Sequence, residues 1–389
     1  MSSSCARWSQ VSDRLLPYGH QWVSAEDIDA VAAVLSGEYL TTGPTIGAFE
    51  AALAEVSGVS QVVSVASGTA ALHAMYSAVG IRSGDEVIVP PLTFAATANA
   101  ALYLGANPRF VDVDARTGLI APDAVAEVAT SRTRAVVAVD FAGHPADYDA
   151  LRAVIDPGTA LLADASHSLG ATRGDRPAGS LADATAFSFH PVKPITTGEG
   201  GAIATDNPDV AAAAARFRTH GITRDRSLMG TDEGEWYYEQ VDLGFNYRLT
   251  DIQAALGLSQ LSRLNAFLSR RRTIAQAYLE AFAGLAGVGL PMVENAVSPG
   301  WHLFVIRVAA NRRRSFFDRL RADGLGVQVH YIPVYWHPLY RDLGYQRGQC
   351  PTAEAIYGES ISLPIFPAMT DGDVDRVITA VAAAAADLL

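Results

Sequence analysis

The chain has 389 residues, 49% hydrophobic and 18% charged, enough to fill a sizeable core and too apolar for a disordered or fibrous chain. Its formal charge of −12, with no long basic run, argues against a general nucleic-acid binder, so any anionic ligand must be held by a few local cations and backbone N–H groups. Two cysteines, Cys5 and Cys350, cannot build a disulfide framework or a four-ligand zinc site, and they fit a reducing cytoplasm. No apolar leader core is visible in the first sixteen residues, and no stretch reaches the roughly 18–20 apolar residues that span a bilayer.

In chain order, short apolar runs alternate with helical ones. Val62–Val65 is a predicted strand and Ala70–Val79 the helix after it. Glu86–Val89 and Ala95–Leu104 repeat the pair, and Arg109–Val113, Ala135–Val139, Ala160–Ala163 and Thr185–Phe189 add strands. Continuous apolar strands alternating with helices predict a mostly parallel sheet covered on both faces. The alanine runs at 211–215 and 381–386 are interrupted by charges and predict helix rather than membrane span. Thr250–Phe282 predicts one long helical stretch; His302–Val308 and Val327–His330 predict strands, and Asn311–Asp323 and Asp371–Asp387 helices. The expected division is residues 1–265, an N-terminal segment with a large domain, and 266–389, a smaller C-terminal α/β domain.

Three segments carry chemistry. Lys193 lies among small and apolar residues between two prolines, just after a strand, in SFHPVKPITTGEGG at 188–201. Partial desolvation there lowers an amine's pKa, as a Schiff-base lysine requires; the plain alternative is a loop lysine in water. Asp164 opens DASH at 164–167 at a strand's C-terminal end. An aspartate there can hold a pyridine nitrogen protonated and so make pyridoxal phosphate (PLP) an electron sink, or it can simply cap a helix. Ser67-Gly68-Thr69 stands between a strand and a helix, where free N–H groups suit a phosphate. It matches neither the P-loop nor GxGxxG, which counts against a nicotinamide-dependent Rossmann enzyme.

Together with PPLTF at 90–94 and GFNYRLTDIQAALG at 244–257, these motifs resemble the DegT/DnrJ/EryC1/StrS sugar-nucleotide aminotransferases, over nearly the whole chain. The resemblance implies a fold-type I PLP-dependent transferase, with a mostly parallel sheet of the seven-stranded type between helices. It implies that Lys193 bonds the cofactor and shuttles the proton, that Asp164 pairs with the ring nitrogen, and that His167 lies beside the ring oxygen. It places Phe94 on the ring face and Gly68, Thr69 and Ser188 at the phosphate. Asn246 would reach that phosphate from the partner subunit, which makes the expected enzyme a homodimer with shared sites. Relatives that dehydrate instead carry histidine in place of the lysine; this chain keeps Lys193.

For the substrate, PYGHQ at 17–21, LTTGP at 40–44, WYYE at 236–239 and VHYIP at 329–333 are most similar to the branch serving pseudaminic-acid biosynthesis. That branch implies ping-pong transfer of glutamate's amino group to C4 of a UDP-linked 4-keto-6-deoxy-N-acetylhexose. Arg248 is the candidate for the nucleotide, and His190, His330 and Tyr331 for the sugar. The insert Arg224–Glu239 is expected at the neighbouring subunit's substrate mouth. Arg270–Arg272 and Arg312–Arg314 are expected to be solvated helix faces. GHPADY at 143–148 and YWHPLY at 335–340 are departures with no assigned motif. The same chemistry on another nucleotide-linked keto deoxysugar, of antibiotic or GDP-perosamine type, and a non-catalytic regulator of this fold are the alternatives; Lys193, Asp164 and Asn246 argue against the regulator.

Overall fold

A computed structural model describes residues 15–388; Cys5 and most of the N-terminal stretch read for a leader lie outside the described residues. The centre is a seven-stranded sheet of β1 (Gln61–Val65), β2 (Glu86–Val89), β3 (Asn107–Phe110), β4 (Thr133–Val139), β5 (Ala160–Asp164), β6 (Ala184–Ser188) and β7 (Gly201–Thr205). Their spatial order is β1-β7-β6-β5-β4-β2-β3, and only β7 runs against the others. The mostly parallel sheet follows from the apolar runs. Val87, Ile88 and Val89 are all fully buried, as are Val136 to Ala138, because helices cover both faces. One face packs on Gly68–Ala78 and its neighbours, the other on Pro44–Ser57 and Asp251–Ser262.

The predicted helix over 250–282 is two helices, Asp251–Ser262 and Leu264–Phe282, broken at Arg263. Arg263 leaves helical geometry as its guanidinium turns to Asp27 and to the Trp22 carbonyl. Its pairing partner, Asp27, is fully buried, so loss of Arg263 would leave an uncompensated buried charge.

A smaller core gathers Phe304–Arg307, paired antiparallel with Ser360–Leu363, beneath helices Ala310–Ala322 and Asp371–Leu388. Val327–His330 is not a strand. Pairing falls two residues earlier, where Leu325–Gly326 lies parallel to Leu16–Pro17, and only Gln328 bridges onward to Ser362. Two segments cross the expected division at residue 265. Leu16 joins the small core, whereas Val334, Tyr335, Tyr340 and Ile356 join the core of the large sheet. YWHPLY at 335–340 is therefore packing: Tyr340 donates to Asn99 over 2.6 Å, and Tyr335 to Glu354 over 2.6 Å.

The arginine runs divide. Arg314 pairs with Asp318 one turn on, on a solvated face. Arg271 does not fit that expectation; it is 1% exposed and bonds three backbone carbonyls. No helix among the described residues is long and apolar enough to cross a membrane, and no acidic, His or Cys cluster among them could hold a metal ion.

Candidate active site

The C-terminal ends of the parallel strands open on a cleft of about 570 Å³, the usual ligand position in an open α/β sheet. Val139 ends β4, Asp164 ends β5 and Ser188 ends β6; all three line it. Across from them the segments beside the smaller core and the N-terminal segment deliver Tyr18, His302, His330 and Tyr331. Of the site residues expected from the sequence, all but Asn246 and Arg248 line this cleft.

Lys193 is positioned by a closed loop between antiparallel β6 and β7. Phe189 donates to the Gly200 carbonyl over 2.9 Å and accepts from Thr197 N–H over 3.0 Å and from the Thr196 hydroxyl over 3.1 Å. The Phe189 ring is buried edge-on against Phe49, which fixes the loop to the sheet. Burial of the Lys193 ammonium pushes its pKa down to about 8, although Asp164 opposes the shift. The neutral, nucleophilic form is therefore reached at lower pH than for a solvated lysine, whose pKa is near 10.4.

Asp164 is buried, and both of its oxygens are held. Oδ2 accepts from the Thr97 hydroxyl over 2.7 Å; Oδ1 accepts from the Ser166 hydroxyl over 2.6 Å and from Ser166 N–H over 3.2 Å. A tight turn rather than a helix follows it, so the helix-cap alternative does not apply. Neighbouring Asp140 braces that turn. Its carboxylate takes the Ser168 hydroxyl over 2.5 Å and Tyr148 over 2.7 Å, and burial pushes its pKa up to about 6.

Ser67 caps the helix Gly68–Ala78, its hydroxyl accepting from Ala70 N–H over 3.1 Å. The first N–H groups of a helix lack internal acceptors, so Gly68 and Thr69 face the cleft as anion donors. A Cβ on Gly68 would lie 2.7 Å from Ser188 Cβ, and one on Gly201 2.5 Å from the Ser67 carbonyl oxygen. Only glycines let the helix terminus settle this close to β6 and β7.

His167 is 5% exposed and shares a 3.1 Å hydrogen bond, through Nε2, with the Tyr331 hydroxyl. Its Nδ1 is buried without a partner. His330 shares one of 2.8 Å with the Ser362 hydroxyl, and burial pushes its pKa down to about 4. His190 is exposed at the mouth. Phe94 lines the cleft with 64% of its surface open, unusual for a large apolar ring and suited to covering a flat ligand.

The chain matches the model of the DegT/DnrJ/EryC1/StrS aminotransferase family over residues 22–382. The chain belongs to this family. It is 39% identical to the spore coat polysaccharide biosynthesis protein SpsC of Bacillus subtilis, over 96% of this chain and 97% of that one. Among solved structures, the putative sugar aminotransferase Spr1654 of Streptococcus pneumoniae, in its PMP form, superposes with a TM-score of 0.91 at 30% identity, over 96% and 100% of the two chains. Helicobacter pylori PseC, an aminotransferase involved in the biosynthesis of pseudoaminic acid, superposes with a TM-score of 0.90 at 30% identity, with the same coverage. The expected fold type and a PLP-dependent aminotransferase both hold.

The residues present suit that cofactor. PLP presents an anion, a basic ring nitrogen and an aldehyde, and the cleft offers a helix N-terminus, an anchored carboxylate and a depressed amine. The buried, unpartnered His167 Nδ1 is a polar atom that lacks a ligand within the protein.

Several residues of the cleft and its wall were not singled out in the sequence. Behind the cleft wall, fully buried Thr97 is one; it orients Asp164, and its distance of 67 positions from Asp164 leaves no local signal. His302 is another; in the sequence it only opens a strand pattern. Tyr18 lay inside PYGHQ, a motif noted without a role. The insert Arg224–Glu239 folds on itself, with Glu239 accepting from Gly230 and Thr231 N–H groups and Trp236 open to solvent, and it does not line its own chain's cleft.

Proposed function

We propose that this protein moves the amino group of L-glutamate to C4 of a UDP-linked 4-keto-6-deoxy-N-acetylhexose, in two half-reactions on one site, as a cytoplasmic homodimer. The observation that carries the chemistry is the convergence of Lys193, Asp164 and the Gly68–Thr69 helix terminus on one cleft. Support for a sugar substrate comes from SpsC, whose name ties it to a polysaccharide, and from Spr1654 and PseC.

PLP, when bound, supplies an electron sink that stabilises a carbanion and carries the amino group between substrates. Gly68 and Thr69 N–H groups with the Ser188 hydroxyl are assigned to its phosphate, Phe94 to its ring face and His167 to its ring oxygen. Asp164 is assigned to the ring nitrogen, and the bonds to Thr97 and Ser166 stop the carboxylate from turning away. Lys193 provides the amine that holds the cofactor and moves the proton at the reacting carbon. Burial favours its neutral form, so one group can accept a proton in one half-reaction and return it in the other.

His190, His330 and Tyr331 are assigned to the sugar. Asn246 and Arg248 are assigned to the partner's site, at the cofactor phosphate and the nucleotide. Neither lines the cleft of its own chain, and Asn246 is exposed. The insert Arg224–Glu239 is assigned to the same shared mouth. The test is a panel of 4-keto sugar nucleotides mixed with glutamate, read by product mass and NMR. An amine at C4 of the UDP-linked N-acetyl sugar is expected. Amination of a GDP-linked or non-acetylated 4-keto sugar in preference would replace that substrate.

A further inference from the structure

His302 reaches the cleft from the smaller domain and lies against His167, their ring centroids 4.3 Å apart and the planes tilted by 36°. Both rings are almost wholly buried, and the Nδ1 of each lacks a hydrogen-bond partner. They are not bonded to each other; His302 covers one side of His167, while the Tyr331 hydroxyl holds the edge at Nε2 over 3.1 Å. His167 is thus fixed by one hydrogen bond and by two rings, the close His302 ring and the near-parallel Tyr331 ring 6.0 Å away.

The segment that carries His302 is itself held from two directions. Trp301, the residue before, has φ +47°, a conformation that side chains rarely adopt. Buried Arg271 donates to the carbonyls of Trp301 over 3.1 Å and Ile365 over 2.8 Å, and more weakly to that of His302. On the large-domain side, Gly300 N–H donates to the Gly143 carbonyl over 2.8 Å. Gly143 has φ +93°, and a Cβ there would lie 2.9 Å from the His167 carbonyl oxygen and 3.0 Å from His302 N. This contact joins the two domains, and its backbone geometry leads to one ring placed on another.

We infer that His302 is a positioning residue, whose ring, set by the Arg271–Trp301 clamp, locks His167 in one orientation and shields it from water beside the cofactor. The inference rests on the proposed role of His167 at PLP. Burial pushes the pKa of both histidines well below the usual value, and the nearby Lys193 amine adds to the effect on both. Arg271 acts on His302 in the same sense, while Tyr331 faces the edge of His167. Asp164, three residues before His167 in the same turn, is anchored to Thr97 and Ser166 rather than to either histidine. His167 is thereby kept neutral. Loss of the covering ring lets water reach it and lets it take a proton.

The test compares holoenzyme with His302→Ala, which removes the ring, and His302→Phe, which keeps a ring without nitrogen. The readout is the absorbance spectrum of bound PLP against pH, with the melting temperature as a control for folding. In His302→Ala a protonation step absent from the wild type should appear near the ordinary histidine value of about 6.5, and kcat below that pH should fall severalfold. His302→Phe should keep the wild-type titration. His302→Val serves the same comparison if the alanine variant does not fold. An unchanged titration in His302→Ala, with or without a lower melting temperature, overturns the inference. Equal changes in the alanine and phenylalanine variants overturn it too, because packing would not be the cause. Wild-type protein that binds no PLP would instead overturn the cofactor assignment itself.

Discussion

Thr97 donates its hydroxyl to Asp164 Oδ2 over 2.7 Å, joining the helix Ala96–Tyr103 to the end of a strand 67 positions later. With Thr93 2.7 Å from the same hydroxyl and Ser166 on the other oxygen, the carboxylate has one orientation. A hydrogen bond to a charged group contributes about 1.5–3 kcal/mol. Thr97→Val, close in volume, should therefore lower kcat about tenfold, equivalent to ~1.4 kcal/mol in the barrier. Cofactor stoichiometry should stay unchanged, and Thr97→Ser should restore most of the rate. Steady-state kinetics of the two variants check this; equal kcat for Val and wild type would make the bond irrelevant to turnover.

Asp164→Asn should keep the fold and lose several orders of magnitude in rate. A neutral amide cannot keep a ring nitrogen protonated, so the electron sink fails. A purely structural aspartate, closing its turn onto Ser166, would instead cost ~1 kcal/mol of stability with near-normal turnover. Turnover and thermal denaturation, measured side by side, separate the two.

Lys193 should be the residue that borohydride fixes to PLP, found by peptide mass. Lys193→Ala should bind the cofactor without a covalent bond and should not turn over. The pH dependence follows from burial, which disfavours the charged amine and lowers its pKa to about 8. The neutral, reactive fraction grows as pH rises towards 8 and saturates above it. The rate at which the apoprotein takes up PLP covalently should rise to a plateau above about pH 8. A rate still climbing at pH 10 would indicate an ordinary, solvated lysine with its pKa near 10.4.

Subunit exchange tests the shared site. Lys193→Ala and Arg248→Ala, each inactive alone, are mixed until mass spectrometry shows heterodimers. In a closed two-fold dimer with shared sites, both defects fall in one site of each heterodimer and the other is intact. Activity should return towards about a quarter of wild type in a statistical mixture. If each site is built from one chain, every site keeps a defect, and exchanged but inactive dimers would reject the assignment of Arg248 to the partner.

Much of the sheet was legible because its strands carry continuous apolar runs, and burial on both faces demands them. Glu86–Val89 is the same in pattern and in structure, and the other predicted strands of the sheet differ mainly at their ends, where pairing partners set the boundary. Lys193, Asp164 and Gly68 were legible because each sits in a local motif at a strand end. Arg271 was misread as a solvated residue, because a run of three arginines looks the same whether its middle member faces water or the carbonyls of Trp301 and Ile365.

By itself the sequence determined which residue types stand at the strand ends, and with them the chemistry: an enclosed amine, a carboxylate and a glycine-containing helix start. Tertiary structure alone decided what holds them. Thr97 reaches Asp164, Tyr331 and His302 reach His167, and Arg271 reaches the segment bearing His302, each from a remote part of the chain. Local patterning records which way a side chain is buried, but not what it meets. Those partners are set by the side-by-side pairing of β4, β5 and β6 and by the smaller core packing at their ends, which bring together residues with no fixed spacing in the sequence.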